Sequence, residues 1–285
     1  MSQIVEKSVN MSGKPYRVMI ERYNNSGEMV NDLRKRSITS KSFHNKSKEA
    51  LGEWDGCKSY NECLEWLNNG YQPSVDALKN SIKPNVKGTG KRIGFKNDIV
   101  GAVPVVPLAM MGIPNSMVST YIKPIKAKVI DVYYDVTCSS GIKSSDIIEA
   151  GQKLLATILR LEQSGYKFNL YAVQCYSGSY DGDMLIIKVK SSNQPLDLKR
   201  MSYTLTHTSF FRVLGFDWYS RTPKGKYRPS YGQTLSTQFD NDSVKLNEFA
   251  KQLFGDNSIY LSAMIMNKKF KHNKDEYINS MINPK

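Results

Sequence analysis

Asp135, Thr137 and Ser139 stand in a D-x-T-x-S spacing. One carboxylate and two hydroxyls are hard oxygen donors, which suit Mg²⁺ or another divalent ion such as Ca²⁺ or Mn²⁺. They follow Val129, Ile130, Val132, Tyr133, Tyr134 and Val136. That near-continuous β-branched and aromatic run predicts a strand covered on both faces. The three donors then fall at its C-terminal end, where open α/β sheets bind ligands. Asp135, Thr137 and Ser139 are therefore candidate metal ligands. In the competing reading, Asp135 hydrogen-bonds the Thr137 and Ser139 hydroxyls and fixes the loop.

A second chemistry is carried by charge. Lys plus Arg number 40 and Asp plus Glu 26, a formal net charge of +14. The sequence pI is about 9.4. Such a balance favours a polyanionic partner. The excess is clustered. Arg34 to Lys48 holds six basic residues and no acid, and Lys79 to Lys96 repeats that count. Phe216 to Tyr231 interleaves five aromatics with four basic residues, and Asp217 is its one acid. Single-strand binders need stacking faces between phosphate contacts. Candidate nucleic-acid contacts are Arg34, Lys35, Arg36, Lys87, Lys91, Arg92, Arg221, Lys224, Lys226, Tyr227, Arg228 and Tyr231. Gly88-Thr89-Gly90-Lys91 lacks the full phosphate-loop pattern, because Arg92 occupies the place of the magnesium hydroxyl. His207 reads as a hydrogen-bonded structural histidine. Cys57, Cys63, Cys138 and Cys175 show no disulfide spacing, which suits a reducing cytoplasm. No catalytic residue is assigned, and the chain is read as a non-enzyme.

The elements that position these groups follow from periodicity. Tyr16 to Tyr23 reads as a strand and residues 1–13 as loose. Glu28 to Arg36 reads as a helical turn. Ser59 and Glu62 form a capping box for a helix over Tyr60 to Asn68, and Ser74 to Ser81 is a further short helix. Ala102 to Pro114 is apolar and holds three prolines; it is expected to cover part of the sheet. After Asp135, a helix is predicted over Ile147 to Ser164, a parallel strand over Phe168 to Tyr176 and an antiparallel edge strand over Met184 to Val189. Helices over Leu196 to Leu214, Ser243 to Phe254 and Asp275 to Ile282 follow, with a last strand over Ile259 to Met266. The expected fold is α/β: a mainly parallel sheet with an antiparallel edge strand and helices on both faces. A basic region, 1–100, precedes an α/β domain, 101–285. No apolar run reaches about 18 residues, so no membrane span is expected, and no membrane is counted among the expected partners. The first residues lack a signal core.

The order strand, D-x-T-x-S loop, helix, strand, hairpin resembles the von Willebrand factor A-type (VWA) domain over roughly 100–270. Thr137 replaces the first serine of that family's metal loop. The resemblance implies a metal site completed by a later threonine, for which Thr206 and Thr208 are candidates. It also implies a later aspartate, for which Asp240 and Asp256 would serve only in a shifted alignment. The wider chain is similar to phage proteins with a VWA-like half. That likeness implies a single-stranded-DNA-binding accessory protein in the host cytoplasm that recruits a phage RNA polymerase or another phage protein. A metal-dependent protein-interaction module is the alternative.

Overall fold

Six strands form one mixed sheet in the order β1-β2-β8-β7-β6-β9. They are β1 (Gln3–Met11), β2 (Lys14–Tyr23), β6 (Val129–Asp135), β7 (Lys167–Ser177), β8 (Asp181–Lys190) and β9 (Ser258–Ser262). The computed structural model describes residues 2–38, 51–81, 91–124, 129–163, 165–222, 234–268 and 274–282; at 81, 91–93, 122–124, 268, 274 and 275 it describes the backbone alone. β6 is parallel to β7 and β9, and β2 is parallel to β8. The β1–β2 and β7–β8 pairs are antiparallel. β8 is thus interior, not the expected edge strand; β1 holds that place. Residues 3–11 are strand rather than loose chain. Ser12 and Gly13 both take positive φ, 52° and 84°. Such a two-residue turn matches the twist of a hairpin. Because β1 is a half-exposed edge, it carries few large apolar residues and escapes a pattern search. Through this hairpin, residues before 100 complete the sheet that holds β6.

The sheet curls around the helix Ser243–Phe254 (α8, counting helices in chain order). Phe249 packs edge-on against Tyr16, and Phe254 stacks on Tyr133. The same helix touches both outer strands. Lys7 Nζ on β1 donates to Leu253 O at 2.5 Å. On β9, Asn247 donates to Tyr260 O at 2.9 Å and accepts from Tyr260 N at 2.8 Å. The amide side chain thereby pairs the free backbone edge of β9, which would otherwise invite another strand. The long helix α5 (Ser144–Gln163) lies against α6 (Leu198–Thr206). A Cβ on Gly151 would meet Leu205 O and come within 2.6 Å of Thr206 Cα, so only glycine permits this approach.

The helix expected over Leu196 to Leu214 is broken. α6 ends at Thr206 with His207 as C-cap, a π-helical segment runs Phe210–Gly215, and α7 covers Phe216–Arg221. Gln174 on β7 reaches this segment and donates to Phe211 O at 3.3 Å. Any side chain on Gly215 would collide with Gln174. The widened turn is where such insertions are met. The expected strand over Ile259 to Met266 also divides: β9 ends at Ser262 and Ala263–Lys268 (α9) is helical.

A second sheet has the order β3-β5-β4, from β3 (Lys91–Asp98), β4 (Val103–Pro104) and β5 (Met117–Pro124). Between β4 and β5 lies α4 (Val106–Met110). None of the side chains described here joins the hydrophobic core or packs on it. Ala102 to Pro114 therefore does not cover the main sheet, because it pairs with β5 instead. Gly151→Ala tests the central helix contact. Overpacking of this kind costs roughly 1–3 kcal/mol. The urea midpoint should fall with the slope unchanged; an unchanged or raised midpoint would contradict the packing described.

Candidate functional site at the strand ends

Asp135 closes β6 and is fully buried. Its Oδ1 accepts the Thr137 backbone N–H at 2.9 Å, and its Oδ2 accepts the Tyr260 hydroxyl at 2.9 Å. Thr137 Oγ1 in turn accepts the Cys175 N–H at 3.0 Å. Asp135 and Thr137 thus tie the end of β6 to β9 and β7. Burial pushes the Asp135 carboxyl up to about 6, against the lowering pull of Thr137 and Tyr260. Ser139 is half-buried in the loop beyond.

A cation already sits over that loop. Arg212, carried by the π-helical segment, is buried. It donates to Ile142 O at 2.8 Å, to Ser144 Oγ at 3.2 Å and to Trp54 O. Its guanidinium lies 4.3 Å from the Trp54 ring centre, a cation–π contact. Trp54 Nε1 donates to Ser140 O at 3.1 Å. Arg212 and Trp54 together fasten the segment around residue 54 to the loop 139–144. Desolvation lowers the Arg212 pKa.

The residues expected to complete a metal site are elsewhere engaged. Thr206 Oγ1 bonds Ser202 O at 2.5 Å, and Thr208 Oγ1 donates to Asp55 O at 3.4 Å. Asp240 ends the 3₁₀ turn Leu235–Phe239 and is exposed. Asp256 precedes β9, at the opposite end of the sheet from Asp135. No group of three His, Cys, Asp or Glu able to hold a metal occurs among the described residues. The donor set does not fit a divalent cation: the one carboxylate is closed by a hydroxyl and an amide, and a guanidinium covers the loop. The competing reading is met in part: Asp135 holds its loop through Thr137, but its second partner is the Tyr260 hydroxyl of β9 rather than Ser139. A cleft of about 300 Å³ lies at the N-terminal ends of β6 and β9, lined by Ile130, Asn247, Ser258 and Met281, and does not meet this site.

His207 is structural in the same sense. It lies among Trp66, Tyr71 and Tyr203, with its Nδ1 2.8 Å from Ser209 Oγ. Burial lowers its pKa to about 4.

The candidate nucleic-acid residues divide. Arg34 and Lys35 are exposed. Arg36 is not a free cation: it pairs with buried Glu21 and with Asp32. Glu21 also accepts from Trp218 Nε1 at 2.8 Å and from Tyr23 at 2.9 Å. Burial raises the Glu21 pKa, but the bonds from Arg36 and Trp218 outweigh it and the net shift is downward. Arg221 pairs with Asp217 at 2.7 Å and donates to Leu33 O and Arg36 O. For Arg36 and Arg221 the phosphate role gives way to a structural one, because their donors are taken. Phe216, Trp218 and Tyr219 lie on α7, where Trp218 is fully buried; they anchor rather than stack on bases. Lys91 and Arg92 fall on β3, where only the backbone is described. Lys87, Lys224, Lys226, Tyr227, Arg228 and Tyr231 lie outside the described residues.

Sequence reasoning missed Arg212, Trp54, Tyr260 and Glu21. The available signal for Arg212 was a lone cation in the apolar run FFRVLGF.

Fold and site define an α/β protein whose strand-end loop is closed by its own hydrogen bonds. Residues 4–281 match the model of a family described as Domain of unknown function (DUF7192). The chain belongs to the DUF7192 family. No curated protein and no solved structure matches it.

The raised Asp135 carboxyl has a stability consequence. Its neutral form is favoured by folding, so this contribution is full below about pH 4 and is lost as pH rises through about 6. The loss is about 3 kcal/mol, because each tenfold change in proton affinity is worth roughly 1.4 kcal/mol. Asp135→Asn should flatten that part of the stability-versus-pH curve. Mg²⁺ should leave the melting temperature of the native protein unmoved. A Mg²⁺-dependent rise abolished by Asp135→Asn would overturn the closed-loop account.

Proposed function

We propose that this chain is a phage-encoded nucleic-acid-binding accessory protein. It binds single-stranded DNA and recruits a protein partner such as a phage RNA polymerase in the host cytoplasm. Its role is binding rather than catalysis. One observation carries this reading: where the charge resides. The described residues hold 27 of the 40 basic and 25 of the 26 acidic side chains. The remaining segments therefore hold 13 basic residues against a single acid, Glu49. The frame is nearly balanced and commits cations such as Arg36, Lys190, Arg212 and Arg221 to internal contacts. The excess lies in connections such as 39–50, 82–90 and 223–233. Two of these share an anchor, since Arg221, just before 223, bonds the carbonyl of Arg36, just before 39.

The strand order β8-β7-β6-β9, with the D-x-T-x-S loop at the end of β6, supports a VWA-like reading of the sheet. The metal-dependent interaction module drawn from that likeness needs an open carboxylate. Both oxygens of Asp135 are engaged, so we favour nucleic acid.

Filter binding to single-stranded and duplex DNA across a salt series tests this. Phosphate contacts release counterions, so affinity should fall steeply with salt. Lys224→Ala with Lys226→Ala should make that slope shallower. Tyr227→Ala with Tyr231→Ala should weaken single-strand binding at least about tenfold and leave the slope alone, as stacking requires. An affinity level with salt would reject nucleic acid. Equal loss of duplex and single-strand binding in the tyrosine variant would reject stacking.

A further inference from the structure

The chain exposes apolar surface in one place above all others. Nine of the fifteen exposed large hydrophobic residues among those described lie between Phe95 and Tyr121. Phe95 is 71% exposed, Val100 78% and Met110 84%. A small sheet needs a covered face to be stable on its own. This one has no cover from the rest of the described chain, because none of its described side chains joins or packs on the core. Monomers rarely leave such a contiguous patch bare without a use.

The patch is polarised along the small sheet. Asp98 pairs with Met117, and Val103 with Val118, at the end far from the chain's entry and exit. Lys91 pairs with Pro124 at the near end. Ile99, Val100, Val103, Val106, Met110 and Met111 thus gather at the far tip. From residue 99 to 122 the sequence holds no Asp, Glu, Lys or Arg. Beside the tip, β3 and β5 carry four basic residues, Lys91, Arg92, Lys96 and Lys123, and one acid, Asp98, which pairs with Lys96.

The tip's backbone is also largely self-satisfied. The N–H groups of Ala102, Val105, Leu108, Ala109, Met111, Gly112 and Ile113 all donate to carbonyls within 102–118. Pro104, Pro107 and Pro114 have no N–H to satisfy. Internal pairing of this kind is what an apolar medium demands.

We propose that the tip, 99–116, inserts into the headgroup boundary of an anionic lipid surface, with the basic near ends of β3 and β5 above it. An uncharged projection with a basic base fits that surface on both counts, since apolar burial and attraction to anionic lipid act together. A second copy of the chain fits less well, because it would bring the same basic strand ends against their like. Spanning is not involved: among the described residues no helix is long and apolar enough to cross a membrane.

The test uses the full chain and vesicle flotation. One set of vesicles is phosphatidylcholine alone, and the other contains a minority of phosphatidylglycerol. The native protein should float with the anionic set. Met110→Asp with Met111→Asp should lower partitioning at least about tenfold, since charge is excluded from the apolar boundary. The same variant should keep the native melting temperature and single-strand DNA affinity, which shows that it is folded. Three outcomes overturn the proposal: no flotation of the native protein, flotation that the variant retains, or a solution dimer that the variant dissolves. The last would assign the tip to a second copy. Flotation that depends on the tip in a protein that binds no nucleic acid would leave this inference standing and reject the proposed function alone.

Discussion

A carboxylate sealed from water holds the top of the sheet together. Asp135 ends β6, and its two oxygens are taken by the Thr137 amide and the Tyr260 hydroxyl of β9. Thr137 continues the chain of bonds to Cys175 on β7. An unpaired buried carboxylate is too costly to keep, so each partner is needed once the site is closed. The loop that follows is then pinned from the other side of the sheet. The π-helical segment, shaped by Gln174 and the bare Cα of Gly215, delivers Arg212 to the carbonyl of Ile142 and the hydroxyl of Ser144. The strand end that resembles a metal loop is therefore held by hydrogen bonds and a resident cation.

Burial governs the second fixed point as well. Glu21 on β2 binds Arg36, Tyr23 and Trp218. This network joins the hairpin, the turn after α1 (Ser26–Leu33) and α7. Arg221 extends it to Asp217 and to the Leu33 and Arg36 carbonyls. Breaking one member of such a pair leaves an uncompensated charge, which is why these arginines are poor candidates for contacts with a partner. The frame nearly balances its charges, and the surplus is left to the connecting segments.

Much of the frame was legible in the sequence. β6 was visible because Val129, Ile130, Val132, Tyr133 and Tyr134 make a β-branched and aromatic run, although the strand lies next to the edge strand β9. The helix over Tyr60–Asn69 announced itself through Ser59 and Glu62, and Ser59 does accept the Glu62 amide. α5 and α8 showed long apolar stripes. Other features depended on contacts across long separations. The Asp135–Tyr260 bond spans 125 residues. The break after His207 depends on Gln174, which no local pattern reveals. β1 is too polar to be read without its partner. The candidate site divided for one reason: a sequence counts charges but does not show who neutralises them. Arg36 and Arg221 looked like Lys35 until Glu21 and Asp217 were placed beside them.

The proposed function assigns binding to the basic connections and support to the closed frame. Hydrogen–deuterium exchange with and without a single-stranded oligonucleotide separates their contributions. New protection is expected in peptides from 39–50, 82–90 and 223–233, with the loop 139–144 and the Arg212 segment unchanged. Protection centred on 139–144 and Arg212, with the basic segments unaffected, would contradict that division.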